Sequence, residues 1–334
     1  MAGNEPGPAP AGDDAVLPFE VAPLDVRGRA IQMGPAIDAL IARHDYPDAV
    51  SRLVGEAVVL AVLLGSSLKF DGKFILQTET DGPVDMLVAD YRTTGAVRAY
   101  ARFDAARVEA ALAAGAASST LLLGSGTLAM TVDQGAYMSR YQGVVPLDGQ
   151  GLEEAAHTYF RQSEQIPTRV RLAVGEVLER IDGAMVRQWR AGGIIVQFLP
   201  DAPERMRQPD LPGGDAPEGS EDGAVEADDA WVEAQSLVAT IEDHELTDPG
   251  VPVERLLYRL FHERGVRVFT PVAITDDCSC SRERIADMLA SFSAEEIAES
   301  VQDGRIKVTC EFCGTRYEFD PSEFAGKDEP SGES

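Results

Sequence analysis

All four cysteines of this 334-residue chain fall in its last sixth, as Cys278-Ser-Cys280 and Cys310-Glu-Phe-Cys313. No other feature restricts the fold so tightly, because gathered thiols must share either a metal or redox chemistry. The 29 residues between the pairs read as an organised insert. In "SRERIADMLASF" the residues Ile285, Met288, Leu289 and Phe292 fall on one helical face. "SAEEIAESVQDG" opens with a Ser-x-x-Glu capping box, Ser293 and Glu296, and Gly304 is placed to cap its end. "RIKVTC" and "RYEFD" then make two strands of a hairpin whose tip is Cys310-Glu-Phe-Cys313-Gly314. The expectation is a small module of two helices and a β-hairpin knuckle.

A tight C-x-x-C-G turn aims two sulfurs to one side and lets backbone N–H groups donate to them, and a C-x-C pair can supply two further ligands. Four thiolates with no competing His or carboxylate in the spacing imply a closed, tetrahedral, zinc-type site on Cys278, Cys280, Cys310 and Cys313. Unconnected buried thiols would be scattered along the chain. A thioredoxin-like pair would open a helix in a βαβ context that is absent here. A purely structural zinc knob remains a competitor. Against it, a disulfide between residues two apart closes a very small ring and is readily reversed, which suits a switch better than a staple. Zinc on four thiolates contributes roughly 10 to 16 kcal/mol of apparent folding free energy in small modules. The core of a module this size contributes only a few, so losing the metal should melt it.

The net charge of −27 repels phosphate backbones and makes nucleic acid a poor partner. The opening "MAGNEPGPAPAGDD" has neither a basic nor an apolar signal-peptide region, so a cytoplasmic location is expected. The longest apolar run, "AVVLAVLLGSSL", is well short of the roughly 20 residues that span a bilayer, and reads as a buried helix rather than a membrane segment. A reducing compartment also disfavours permanent disulfides.

Residues 1–14 read as a disordered extension. Residues 15–200 read as an α+β domain with buried helices and a meandering antiparallel sheet, since short β-prone runs are separated by "DGP" and "TTG". Residues 201–230 carry ten acidic side chains against two basic ones, with Pro and Gly throughout, and read as a solvated insert. Residues 231–265 form a helical connector with an apolar stripe of Trp231, Val238, Ile241, Leu256, Leu257 and Phe261. Residues 266–325 hold the cysteine module, and 326–334 form a disordered tail.

With these stretches in place the chain resembles the redox-regulated heat-shock protein 33 chaperones. The resemblance runs over nearly the whole ordered chain: "LLGSSLKFDGKFILQTETDGPVDMLVADY", "EEAAHTYFRQSEQIPTR", "AGGIIVQFLP", "LLYRLFHERGVRVF", "CSCSRERI" and "VTCEFCGTRYEF". It implies an ATP-independent holdase, not an enzyme, whose reduced form carries one zinc on the four cysteines and is inactive. It further implies disulfides within each pair, Cys278 with Cys280 and Cys310 with Cys313, on oxidation. Zinc release then unfolds the module and connector, and the exposed apolar surface captures unfolding client proteins, usually as a homodimer. The acidic insert and the N-terminal extension look longer than the family pattern.

Two other functions compete with this one. A constitutive zinc module binding a protein or RNA partner could use Arg282, Arg284, Arg305, Lys307 and Arg316, but these are matched by neighbouring acids. An enzyme is disfavoured: His44, His157, His244 and His262 are far apart in sequence, no nucleotide or hydrolase motif is present, and four thiolates leave a zinc no open position.

Overall fold

The structure is a computed structural model that describes residues 11–69, 71–115, 118–134, 140–181, 183–200 and 228–324. The expectations for residues 1–10, for the acidic insert at 201–227 and for the tail lie outside them. The chain divides into two compact units, Met1–Asp276 and Asp277–Ser334.

The first unit begins with β1 (Ala15–Val21) and β2 (Val26–Met33), followed by helices α1 (Pro35–Ala42) and α2 (Asp48–Gly65). A meander of β3 (Lys73–Thr80), β4 (Val84–Arg92) and β5 (Ala96–Phe103) leads through α3 (Ala105–Ala113) and α4 (Ser119–Leu123) to β6 (Ser125–Asp133) and β7 (Tyr141–Asp148). After α5 (Leu152–Tyr159) come two long strands, β8 (Thr168–Ile181) and β9 (Ala184–Phe198), paired from Thr168 opposite Gln197 to Ile181 opposite Ala184. The connector supplies α6 (Asp229–Ala239), α7 (Asp243–Thr247) and α8 (Val253–Phe261). Three two-residue strands close the unit: β10 (Arg267–Val268), β11 (Val272–Ala273) and β12 (Thr275–Asp276).

These strands form two sheets. One has the order β10-β1-β2-β9-β8 with β11 also on β1, and the other the order β12-β5-β4-β3-β6-β7. Every pairing is antiparallel except that of β12 with β5. Helix α2 contacts strands of both sheets, and of its residues only Asp48, Arg52 and Glu56 escape full burial, which is why its sequence is apolar on nearly every face.

The first sheet is covered on both sides. Val16, Ile31 and Ile195 join the cluster around α2, while Leu17, Phe19, Ile194 and Val196 point the other way into a second cluster with the connector. The period of two along β1 and β9 places successive apolar residues on opposite faces, so both faces need a cover.

Two boundaries differ from those read in the sequence. Asp13 and Asp14 are bonded into the fold: Asp13 pairs with the buried Arg190, and the Asp14 carboxylate accepts from the N–H groups of Gly34 (3.0 Å) and Ala36 (3.1 Å) at the start of α1. Residues 267–276, assigned to the cysteine module at a boundary of 266, belong with the first unit, because β10 and β11 pair with β1, and β12 with β5.

The second unit holds α9 (Arg282–Leu289), α10 (Ala294–Glu299) and a three-stranded sheet of β13 (Val301–Gln302), β14 (Arg305–Thr309) and β15 (Arg316–Phe319) in that order. Ser281 caps α9 by accepting from the Arg284 N–H, and Ser293 and Glu296 form the expected reciprocal box at α10. Its core is small: Leu289, Ile297, Ile306 and Phe319 are buried. Met288 and Phe292, placed on the buried face by periodicity, are 46% and 40% exposed, since this core is too small to cover a full helical stripe. Gly304 is not a helix cap. It follows Asp303 in a two-residue turn, both at positive φ (52° and 76°), and joins the paired residues Gln302 and Arg305 of β13 and β14.

Candidate metal centre

The four sulfurs come from two structural devices within the second unit. Cys278 and Cys280 lie on a stretch without regular structure immediately before the cap of α9. Two arginines of α9 hold that stretch against the hairpin and the helix start. The Arg284 guanidinium donates to the Ser279 carbonyl at 2.7 Å, and Arg282 donates to the Glu318 carbonyl at 2.6 Å while lying 4.3 Å from the Phe319 ring centre.

Cys310 and Cys313 lie on the turn between β14 and β15. The turn is closed by Gly314 N–H to the Cys310 carbonyl (2.8 Å) and Cys310 N–H to the Thr315 carbonyl (2.9 Å). Gly314 sits at φ 69°, a conformation that a side chain would strain. Burial raises the Cys310 thiol, and the backbone N–H groups of Cys313 and Phe312 on the turn act in the opposite sense.

All four sulfurs lie within 4.8 Å of one another, and all four cysteines are unpaired and half-buried. Cys278 is 3.7 Å from Cys310 and Cys280 is 3.3 Å from Cys313. A tetrahedral zinc with bonds near 2.3 Å requires sulfurs roughly 3.8 Å apart. The donor set therefore fits one soft, four-coordinate ion such as Zn²⁺, and a thiol cluster of this kind is filled by four ligands with no position left for a substrate. Among the described residues this is the one group of three or more His, Cys, Asp or Glu side chains with such convergence.

The thiols differ electrostatically. Burial and then the neighbouring sulfurs push Cys280 up to about 12, against the lowering effect of the Tyr317 hydroxyl. Burial also acts upward on Cys313, but hydrogen bonds from Thr315 and the nearby sulfurs draw it down to about 7. Cys313 is thus closer to ionisation at neutral pH than Cys280, and thiolates rather than thiols bind metal.

The spacing in the sequence names the four cysteines that converge here but not two of their neighbours. Tyr317 brings its hydroxyl to 3.2 Å from the Cys280 sulfur, and Thr315 its hydroxyl to 3.2 Å from Cys313. The alternation in "RYEF", which puts Tyr317 on the same face as buried Phe319, was a signal for the first. Three of the basic residues near the site are engaged internally: Arg282 with Glu323, Arg305 with Asp320, and Lys307 with Asp303. The four histidines take no part in the cluster; His44 stacks on Tyr46, and His157 accepts from the Val170 N–H.

The connector residues Trp231, Val238, Ile241, Leu256, Leu257 and Phe261 are all buried in the first unit, against β1, β2 and β9. Phe261 lies 5.8 Å from Phe19, and Trp231 lies 6.1 Å from Phe198, between ring centres. The packing is fastened by polar contacts to connector backbone. Arg190 donates to the Thr247 carbonyl and Gln32 to the Val251 carbonyl, both at 2.8 Å. Gly192 permits the close approach, since a Cβ there would stand 2.1 Å from the Leu246 carbonyl oxygen.

No helix among the described residues is long and apolar enough to cross a membrane. The chain matches the model of the family described as Hsp33 protein over residues 14–320. It is 46% identical over 312 residues to the 33 kDa chaperonin of Caulobacter vibrioides, covering 92% of this chain and 95% of that protein. It is 36% identical over 301 residues to the 33 kDa chaperonin of Photorhabdus laumondii, covering 90% and 91%. The fold is similar to the crystal structure of the 33 kDa chaperonin, a heat shock protein 33 homolog, from Thermotoga maritima, with a TM-score of 0.68 at 20% identity over 93% of this chain and 96% of that one. The extent and identity of these matches, over a chain that carries the four clustered thiols, show that it belongs to the Hsp33 family.

Proposed function

We propose that this protein is a redox-switched, ATP-independent holdase of the cytoplasm, and not an enzyme. In the reduced state Cys278, Cys280, Cys310 and Cys313 hold one Zn²⁺, which supplies the cross-link that the second unit lacks in apolar core. Oxidation joins Cys278 to Cys280 and Cys310 to Cys313, the ion leaves, and the second unit loses its fold. The chain between α8 and Cys278 is tied to the first unit by three strands of only two residues each. Once the second unit is unfolded, these weak pairings no longer hold the connector. Trp231, Val238, Ile241, Leu256, Leu257 and Phe261 then become available to unfolding client proteins, with residues 15–200 as the client-binding and dimerisation domain of an oxidised homodimer. Nucleic acid and membrane are not its partners. The excess acidic charge of residues 201–230 keeps the activated form dispersed while apolar surface is exposed.

The observation that carries this reading is the convergence of four unpaired thiols within 4.8 Å in a unit whose buried core, among the described residues, is four side chains. The test treats reduced protein with peroxide at mildly raised temperature, following zinc release with a chromophoric chelator and suppression of aggregation of an unrelated unfolding protein. Zinc loss and anti-aggregation activity are expected to appear together and to reverse on reduction. Zinc retained, or lost without activity, would make the cluster a constitutive clasp that serves a protein or RNA contact.

A further inference from the structure

We propose that Tyr317 is a positioning residue of the thiolate cluster, whose hydroxyl donates to Cys280 and sets both how firmly that sulfur is held and how readily the Cys278–Cys280 pair is oxidised. This deepens the metal-centre reading and rests on it.

The sulfurs obtain their hydrogen-bond donors in different ways. Cys310 and Cys313 lie on the turn whose own groups face them: the N–H groups of Cys313 and Phe312 favour the Cys310 thiolate, and the Thr315 hydroxyl, 3.2 Å from the Cys313 sulfur, accepts from the thiol and would donate to the thiolate. Cys280 lies on the other limb, before α9, and its oxygen neighbour is the hydroxyl of Tyr317 at 3.2 Å. That hydroxyl is placed by packing. Tyr317 lies opposite Val308 across the hairpin, and its ring rests against the cluster of Leu289, Ile297, Ile306 and Phe319. Arg316 and Glu318, its neighbours along β15, face outward, so the alternation of the strand directs the ring inward and its polar tip to the sulfur.

A thiolate can only accept a hydrogen bond, so at a metal-bound Cys280 the Tyr317 hydroxyl is the donor. The bond draws electron density from the sulfur. It stabilises the excess negative charge of four thiolates around a divalent ion, and it makes the sulfur a weaker nucleophile. Oxidation by a peroxide begins when a thiolate attacks one peroxide oxygen: an S–O bond forms, the O–O bond breaks, and the leaving oxide takes a proton. The second thiolate of the pair then attacks that sulfur, forming S–S and breaking S–O, with the departing hydroxide protonated to water. Two thiolates are oxidised and one peroxide is reduced. Removing the donor from Cys280 should therefore loosen the ion and speed this sequence at Cys278 and Cys280 in particular.

The experiment compares the full-length parent, Tyr317→Phe and Thr315→Val. Zinc affinity is measured on reduced protein by chelator competition, and early disulfide formation in each pair under peroxide by alkylation and mass spectrometry. Tyr317→Phe keeps the ring in the core and should lower zinc affinity by about 10-fold. It should also speed the Cys278–Cys280 disulfide several-fold while leaving Cys310–Cys313 at the parental rate. Thr315→Val should shift the preference toward the other pair. Parental affinity and rates in Tyr317→Phe would overturn the inference alone, as would equal acceleration of both pairs, which marks general loosening. A parent that binds no zinc would overturn the metal-centre reading and this inference with it.

Discussion

The first unit places α2 between two sheets and covers the far face of one of them with the connector, so β1, β2 and β9 bury side chains on both faces. The second unit closes two short helices and three short strands over Leu289, Ile297, Ile306 and Phe319. Burial of apolar surface can hold the first unit. A module as small as the second cannot be held that way alone, because its surface is too large for its interior. The two units therefore rest on different forces, and only one of those forces can be removed by a change in sulfur chemistry.

The most direct way to break this comparison is to take away the metal without oxidant. Chelation of zinc from reduced protein should remove a contribution on the order of 10 kcal/mol from the second unit. Hydrogen exchange should then show loss of protection over Arg282–Leu289 and Arg305–Phe319, with β2, β8 and β9 still protected. Persistent protection in the second unit would show that its four-residue core suffices and that the ion is not its principal support.

Within the first unit the connector layer can be compared with the layers beneath it. Phe261 is fully buried and packs on Phe19, so Phe261→Ala should cost about 3 to 5 kcal/mol. If the connector opens as a separate layer, as the proposed switch requires, the cost will appear as faster exchange and proteolysis over residues 229–261, with the melting of the sheets nearly unchanged. A matching fall in global melting temperature would instead make connector and sheets one cooperative unit.

The sequence reveals features that rest on local chemistry. The C-x-C and C-x-x-C spacing identifies four groups that the fold does bring together, and the Ser293 and Glu296 box forms as read. The apolar run from Ala57 is the buried helix expected of it. What escapes reading is decided by tertiary partners. Periodicity could assign Met288 and Phe292 to a helical face but not show how little core waited beneath it. Nothing local in residues 267–276 announces that they pair with β1 and β5, since two-residue strands carry no pattern. Arg190 and Gln32 are polar residues in apolar strands, whose role appears only when the connector carbonyls are seen beside them.

Capping offers the finest test of the difference between the units. Ser293 accepts from the Glu296 N–H, and the Glu296 carboxylate accepts from the Ser293 N–H at 2.8 Å, so one side-chain pair satisfies donors at the start of the six-residue α10. Ser293→Ala should cost about 1 kcal/mol. In a unit with a large core that loss would be hard to detect. In the second unit it bears on Ile297, one of four buried apolar side chains in the core among the described residues. With zinc bound, the metal should mask it in the fold, and zinc affinity should fall by about five-fold, the equivalent of that energy. If Ser293→Ala leaves chelator competition unchanged, folding of α10 is not coupled to the metal, and the second unit is itself divided into a metal knuckle and an independent pair of helices.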